Sequence, residues 1–252
     1  MKPSFLNAEK PFLTLMLQNP ELSVLHERIE KSIELGADAF GFQAEALNSK
    51  YNTDYNLKDL FDRMQGRPSY VTNYRKRFND GLTDDELAQG LLRLIDCGAT
   101  LCDVMGDMFC KHPEELTDDA VAIDKQMRLI DDIHNRGAEV LMSSHVLKYT
   151  PAERVLEIAF EQKRRGADII KIVTKADNTE QQLENLRITT LLKKELGAPF
   201  LYLSGGECAI HRRMGPALGC CMYLCVYEHD EFGTASQPLL SVLKPLRDDM
   251  FK

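Results

Sequence analysis

The chain has 252 residues, 44% of them apolar and 28% charged, a composition ordinary for a soluble globular protein and a length sufficient for one large core. A net charge of −8 argues against nucleic acid or an anionic membrane as the main partner, while leaving room for a pocket in which a few arginines hold a small anion. No run of about 18 apolar residues is present, so no membrane span is expected. Residues 1–11 carry no signal-peptide pattern, and a cytoplasmic location is the expectation. The seven cysteines (Cys97, Cys102, Cys110, Cys208, Cys220, Cys221 and Cys225) are odd in number and several sit in apolar runs, which predicts reduced, buried thiols. Cys221 and Cys225 lack the paired spacing of a zinc site, and no metal is expected.

In chain order, Phe12–Leu17 reads as a first strand, followed by Gln18-Asn19-Pro20-Glu21 with no glycine. Residues 22–35 then place Leu22, Leu25, Ile29 and Ile33 close to helical spacing. Gly36-Ala37 ends that helix and opens a strand reading ADAFGF. Ser69–Asn73 fits a third strand, and Asp84–Ile95 opens with acids that favour a helix start. Gly98-Ala99 leads into ATLCDVM, residues 118–134 read as helix, and Gly137-Ala138 leads into AEVLMSS. A helix over 151–165, with Pro151 in its first turn, ends at Gly166-Ala167 before ADIIKIV. A helix over 179–196 ends at Gly197-Ala198 before APFLYLS; Met222–Tyr227 and a helix over 237–251 complete the chain.

Glycine just past a helix takes a left-handed conformation that other residues resist. The strands that follow are short and show little polar alternation, as strands buried on both faces do. Eight strands alternating with helices admit a closed parallel barrel or an open doubly wound sheet. The count, the length and the absence of a glycine-rich loop after the first strand favour a (βα)8 TIM barrel. No linker or composition shift divides the chain, so a single catalytic domain over 1–252 is expected.

In such a barrel the chemistry sits at the C-terminal ends of the strands. Lys171, in Ile169-Ile170-Lys171-Ile172-Val173, is flanked by two aliphatics on each side. Burial disfavours a charged amine, and a neutral amine is what attack on a ketone requires. A buried lysine paired with a carboxylate is the plainer alternative, and Lys175, beside Asp177, is a weaker competitor. His145 ends the preceding strand, where imidazole suits proton transfer near neutral pH; a histidine hydrogen-bonded in a loop is the alternative. Arg75, Arg212-Arg213 and Gln237 follow the third, seventh and eighth strands and form a candidate anion-binding set. The loop Ser204-Gly205-Gly206-Glu207 keeps a phosphate site open as an alternative.

These residues give the chain a resemblance to the type I 3-dehydroquinate dehydratase family, from about Pro11 to the C-terminus. The matching stretches are Val140-Leu141-Met142-Ser143-Ser144-His145 with Thr150-Pro151, Ala167-Asp168-Ile169-Ile170-Lys171-Ile172, Arg75, Ala209-Ile210-His211-Arg212, and Ser236-Gln237. The resemblance implies a hydro-lyase of the shikimate pathway: Lys171 forms a Schiff base and His145 moves the proton. Arg212 and Gln237 would hold a carboxylate substrate, with Arg75, Gln43 and Thr234 as further substrate contacts. It also implies no cofactor, and a homodimer.

The chain departs from the family's pattern where a Glu-x-Arg pair at the second strand becomes Gly41-Phe42-Gln43, and where Asp-x-Glu at the fourth becomes Asp103-Val104-Met105. The glutamate after the third strand becomes Asn79 or Asp80, and the lid serine becomes Gly233 with Thr234 beside it. These departures leave open a Schiff-base dehydratase or aldolase acting on another hydroxy-keto acid, and a non-catalytic ligand sensor.

Overall fold

The computed structural model describes residues 2–252 and follows the alternation through all its repeats. The strands are β1 (Phe12–Leu17), β2 (Ala39–Gln43), β3 (Ser69–Thr72), β4 (Leu101–Met105), β5 (Glu139–His145), β6 (Ile169–Ala176), β7 (Phe200–Gly206) and β8 (Met222–Cys225). The helices are α1 (Leu22–Glu34), α2 (Asp54–Asp62), α3 (Asp84–Cys97), α4 (Ala120–Asn135), α5 (Ala152–Arg164), α6 (Thr179–Glu195), α7 (His211–Leu218) and α8 (Leu240–Met250). The strands form one 8-stranded sheet in the order β7-β6-β5-β4-β3-β2-β1-β8. This alternation of parallel strands and helices is the (βα)8 TIM-barrel fold. Among the described residues no helix is long and apolar enough to cross a membrane.

The Gly-Ala junctions behave as their chemistry requires: Gly36, Gly98, Gly137, Gly166 and Gly197 all take positive φ, between 59° and 133°. At Gly98 a side chain is excluded twice over, because a Cβ would lie 2.9 Å from the Cβ of Phe61.

The chain forms two compact units. The first comprises residues up to Asp103, Asp132–Glu139 and Leu224–Lys252. In it Leu15, Leu17, Phe40 and Phe42 of the paired strands β1 and β2 are fully buried, each contributing roughly 1.5–3 kcal/mol of apolar transfer energy. The second comprises Val104–Asp131 and Val140–Tyr223. There β5, β6 and β7 run side by side, with Ser143 opposite Lys171 and Lys171 opposite Leu201.

Several expectations need correction. β3 and β8 stop at Thr72 and Cys225, short of Asn73 and Tyr227. Pro151 is the N-cap of α5 rather than a residue of its first turn. The last helix begins at Leu240 because Gln237 belongs to the preceding loop, its N–H donating to Thr234 O at 2.9 Å. Two helices were not expected. α2 is a nine-residue helix started by a hydroxyl cap, the Thr53 side chain accepting from the Asn56 N–H. α7 contains Pro216, which reads as a breaker in sequence yet sits in the last turn of the helix. All seven cysteines are free, but Cys110 is exposed in the loop after β4 and Cys221 is half-buried.

Candidate active site

Lys171 lies in the middle of β6 at 5% exposure, between the buried Ile170 and Ile172. Its main chain is gripped from outside the sheet by Gln162 of α5, whose Oε1 accepts from the Lys171 N–H and whose Nε2 donates to Lys171 O, both at 3.2 Å. Lys175, at the exposed end of the strand, pairs with Asp177 at 2.6 Å. Lys171 is therefore the enclosed amine of the two.

His145 ends β5. Side chains alternate along a strand, so Ser143, opposite Lys171, shares a sheet face with His145 two residues on. Strands about 4.8 Å apart and a two-residue offset of about 6.6 Å put the two Cα atoms about 8 Å apart. A small ring fits between an amine and an imidazole so placed. The imidazole is oriented by Glu115, from the loop between β4 and α4. Glu115 Oε2 accepts the His145 backbone N–H at 2.9 Å and lies 2.7 Å from Nδ1. That contact assigns the proton to Nδ1 and leaves Nε2 as the basic nitrogen.

The loop that delivers Glu115 is heavily braced. Glu115 has φ 46°, a left-handed conformation costing roughly 1–2 kcal/mol in a non-glycine residue. Surrounding bonds offset that cost: Ser144 Oγ donates to Glu115 O at 2.7 Å, and the Glu115 N–H donates to His112 O at 2.9 Å. Arg165, 2% exposed, donates to Gly106 O at 3.0 Å and to Thr117 O at 2.6 Å, holding both ends of the loop. Gly106 must be glycine, since a Cβ there would lie 2.4 Å from Glu115 O.

Arg212 is the second residue of α7. Its enclosed Nε has no hydrogen-bond partner among the described residues, and burial pulls its pKa below the usual arginine value. A half-buried guanidinium whose Nε is enclosed and has no partner among the described residues is chemically suited to an anion. Arg213, its neighbour, is exposed. The preceding residue, His211, is fully buried and fixes the start of α7 through Nε2, 2.7 Å from Thr189 Oγ1. Thr189 donates its own proton to Asn185 O at 2.9 Å, so the histidine is the donor and its Nδ1 is left unprotonated, with no partner among the described residues. Burial, and then the charge of Arg212, lowers the His211 pKa to about 4.

In the first unit, Arg75 is locked two-pronged onto Asp84 at the start of α3, at 2.6 and 2.7 Å. Thr83 and Glu86 form a capping box there. Gln43 ends β2 at 9% exposure. Asn79 does not carry an acid's role: its amide donates to Asn73 Oδ1 at 2.7 Å and to Tyr74 O at 3.1 Å, clamping its own loop. Sequence reasoning missed a buried acidic cluster beside these residues. Asp103 Oδ2 accepts from Tyr70 and Tyr74, both at 2.5 Å. Glu45, fully buried, accepts from Thr72 at 2.9 Å, and burial raises its pKa despite Lys76 at 3.9 Å. The loop after β8 is pinned by Asp230, which accepts from Arg28 at 2.7 Å and from the Gly233 N–H at 2.7 Å. The Thr234 N–H donates to Gln18 Oε1 at 3.0 Å, and Gln237, 4% exposed, keeps Oε1 without a partner among the described residues.

Known proteins give this arrangement a context. A stretch of 81 residues, 31% of this chain and 32% of the relative, is 33% identical to the 3-dehydroquinate dehydratase of Alkaliphilus oremlandii (strain OhILAs). The match thus spans about a third of that relative's length. Two solved structures share the fold along nearly the whole chain. One is the type I 3-dehydroquinate dehydratase of Clostridium difficile with covalently modified comenic acid, with a TM-score of 0.81 at 14% identity over 98% of this chain and 94% of that one. The other is the 3-dehydroquinate dehydratase of Geobacillus kaustophilus HTA426, with a TM-score of 0.78 at 16% identity over 97% and 93%. The sequence profile of type I 3-dehydroquinase matches residues 13–242, which is most of the chain, and the chain belongs to the type I 3-dehydroquinase family.

Proposed function

We propose that the whole chain is one catalytic domain that dehydrates 3-dehydroquinate to 3-dehydroshikimate through an imine on Lys171. The observation that carries this reading is the buried Lys171 of β6 with the Glu115-held His145 on the same face of the adjacent strand. The Lys171 amine attacks the substrate ketone, and loss of water leaves a protonated imine. That cation draws electrons from the adjacent carbon, whose proton His145 Nε2 removes. The electron pair expels the neighbouring hydroxyl, which leaves as water with the proton returned by His145. Hydrolysis of the imine frees the enone and restores the lysine, so the net change is loss of one water and no cofactor is called for.

Arg212 is the group that best fits the substrate carboxylate, because its enclosed Nε has no partner among the described residues. Arg75, Gln237, Gln43 and Thr234 are proposed as the remaining substrate contacts. We further propose a cytoplasmic homodimer, which light scattering on the purified protein tests. Growth of the enone absorbance after adding 3-dehydroquinate tests the activity. A folded protein that produces none would refute it.

One observation favours a second reading, a Schiff-base dehydratase or aldolase for a different hydroxy-keto acid. The second strand offers Gly41 and Gln43 where relatives place an acid–arginine pair, and Met105 is buried where a second acid is expected. Each lost charged hydrogen bond is worth roughly 1.5–3 kcal/mol, or about tenfold to a hundredfold in binding. A KM for 3-dehydroquinate similar to that of ordinary family members would remove this reading.

A further inference from the structure

A chain of hydrogen bonds through Gln162, Ser144 and Glu115 joins the two residues assigned to the chemistry. Gln162 is fully buried and uses both of its amide protons and its carbonyl oxygen: Oε1 takes the Lys171 N–H, while Nε2 gives one proton to Lys171 O and the other to Ser144 Oγ at 2.9 Å. Ser144, also fully buried, passes its own proton to Glu115 O at 2.7 Å. The Glu115 carboxylate then holds both the backbone and the ring of His145. Every donor in this series meets one acceptor, and no bond has an alternative direction. From the Lys171 peptide to the His145 imidazole the path lies within one compact unit, fully buried at Gln162 and Ser144 and half-buried at Glu115 and His145.

We propose that Gln162 and Ser144 are positioning residues for the reaction, holding the Lys171 strand and the Glu115–His145 pair in fixed register. Neither touches the reacting atoms. Gln162 reads the main chain at Lys171, and Ser144 transmits that position to the carbonyl of the residue that orients the base. Ser144 sits directly beside His145 in β5 but faces away from it, so it acts through Glu115. Proton abstraction depends on placement of the base to within about an ångström, and a misplacement of that size costs on the order of a hundredfold in rate. Attack by the lysine on the ketone depends on it far less. The inference rests on the proposed Lys171–His145 mechanism and adds to it a prediction about residues outside the site.

The test is a double-mutant cycle in the full-length protein. Borohydride trapping of a keto-acid substrate on the parent comes first, because a parent that traps nothing overturns the mechanism and this inference with it. Ser144→Ala deletes only the hydroxyl. Its kcat is expected to fall about tenfold with KM within about twofold, while the imine is still trapped in full. In a Glu115→Ala background the same change should alter kcat less than about twofold, because residue 115 then has no carboxylate to hold the histidine. A fall of similar size in both backgrounds would mean that Ser144 contributes by general packing and would overturn the proposal. So would an unchanged kcat in the single variant. Gln162→Met, near in volume and without the amide, runs through the same cycle and decides the question if Ser144→Ala does not fold.

Discussion

Acidification should weaken this protein through His211, and the size of the effect follows from its surroundings. The ring donates from Nε2 to Thr189 and leaves Nδ1 enclosed, with no partner among the described residues. Protonating Nδ1 would bury both a charge and an unsatisfied N–H, next to the Arg212 guanidinium. The folded-state pKa is accordingly lowered from 6.5 to about 4. The unfolded chain takes up a proton as the pH falls through 6.5, and the folded chain does not until about 4. The contribution of the neutral ring is therefore fully present above 6.5, declines as the pH falls, and is exhausted below about 4. The shift corresponds to roughly 3 kcal/mol, of which about 2 kcal/mol is lost by about pH 4.5. Against a typical total of about 5–15 kcal/mol that is a large fraction. Urea unfolding at about pH 7 and about pH 4.5 measures it, with His211→Gln as the comparison, since glutamine can still donate to Thr189 but does not titrate. The variant should lose about 2 kcal/mol less than the parent over this interval. Equal losses would show that His211 is not the acid-sensitive group and that its Nδ1 finds a partner on protonation.

Other consequences are more local. Arg212→Met removes the half-buried cation and should raise KM for the keto acid about tenfold to a hundredfold, with trapping on Lys171 restored at saturating substrate; steady-state kinetics read this directly. Glu45 titrates in the opposite sense to His211. Burial raises its folded pKa above 4.5, so stability is lost as the pH rises from that value through the folded pKa. Glu45→Gln should accordingly flatten the rise-side loss and make the protein gain on the parent between about pH 4.5 and pH 7, measured by thermal midpoints.

The parts of the fold governed by local chemistry were legible in the sequence. Each Gly-Ala junction combines a left-handed residue with an apolar run, and both constraints act over a few neighbours, so the five repeats can be read without tertiary information. Lys171 stood out because an amine among four aliphatics is anomalous wherever the strand lies. Glu115 did not, because Glu114-Glu115 reads as one more acidic pair ahead of a helix. Its role depends on a loop of left-handed backbone braced by Arg165 and Ser144 from distant segments. The Tyr70–Asp103–Tyr74 cluster was hidden for a similar reason, since its members lie on two strands and a following loop and meet only through strand register. α7 was obscured by Pro216, which cannot donate to the turn before it and so reads as a helix breaker, although it lies inside the helix.

Covalent trapping reads the proposed imine on Lys171 without intermediary. The protein is incubated with a keto-acid substrate and borohydride, digested, and the modified peptide is identified by mass. A single reduced adduct is expected on Lys171, none on Lys175, and none in Lys171→Ala. In His145→Ala the adduct should persist while turnover falls, because attack on the ketone needs the amine and proton removal needs the imidazole. An adduct on another lysine, or full activity in Lys171→Ala, would contradict the Schiff-base mechanism.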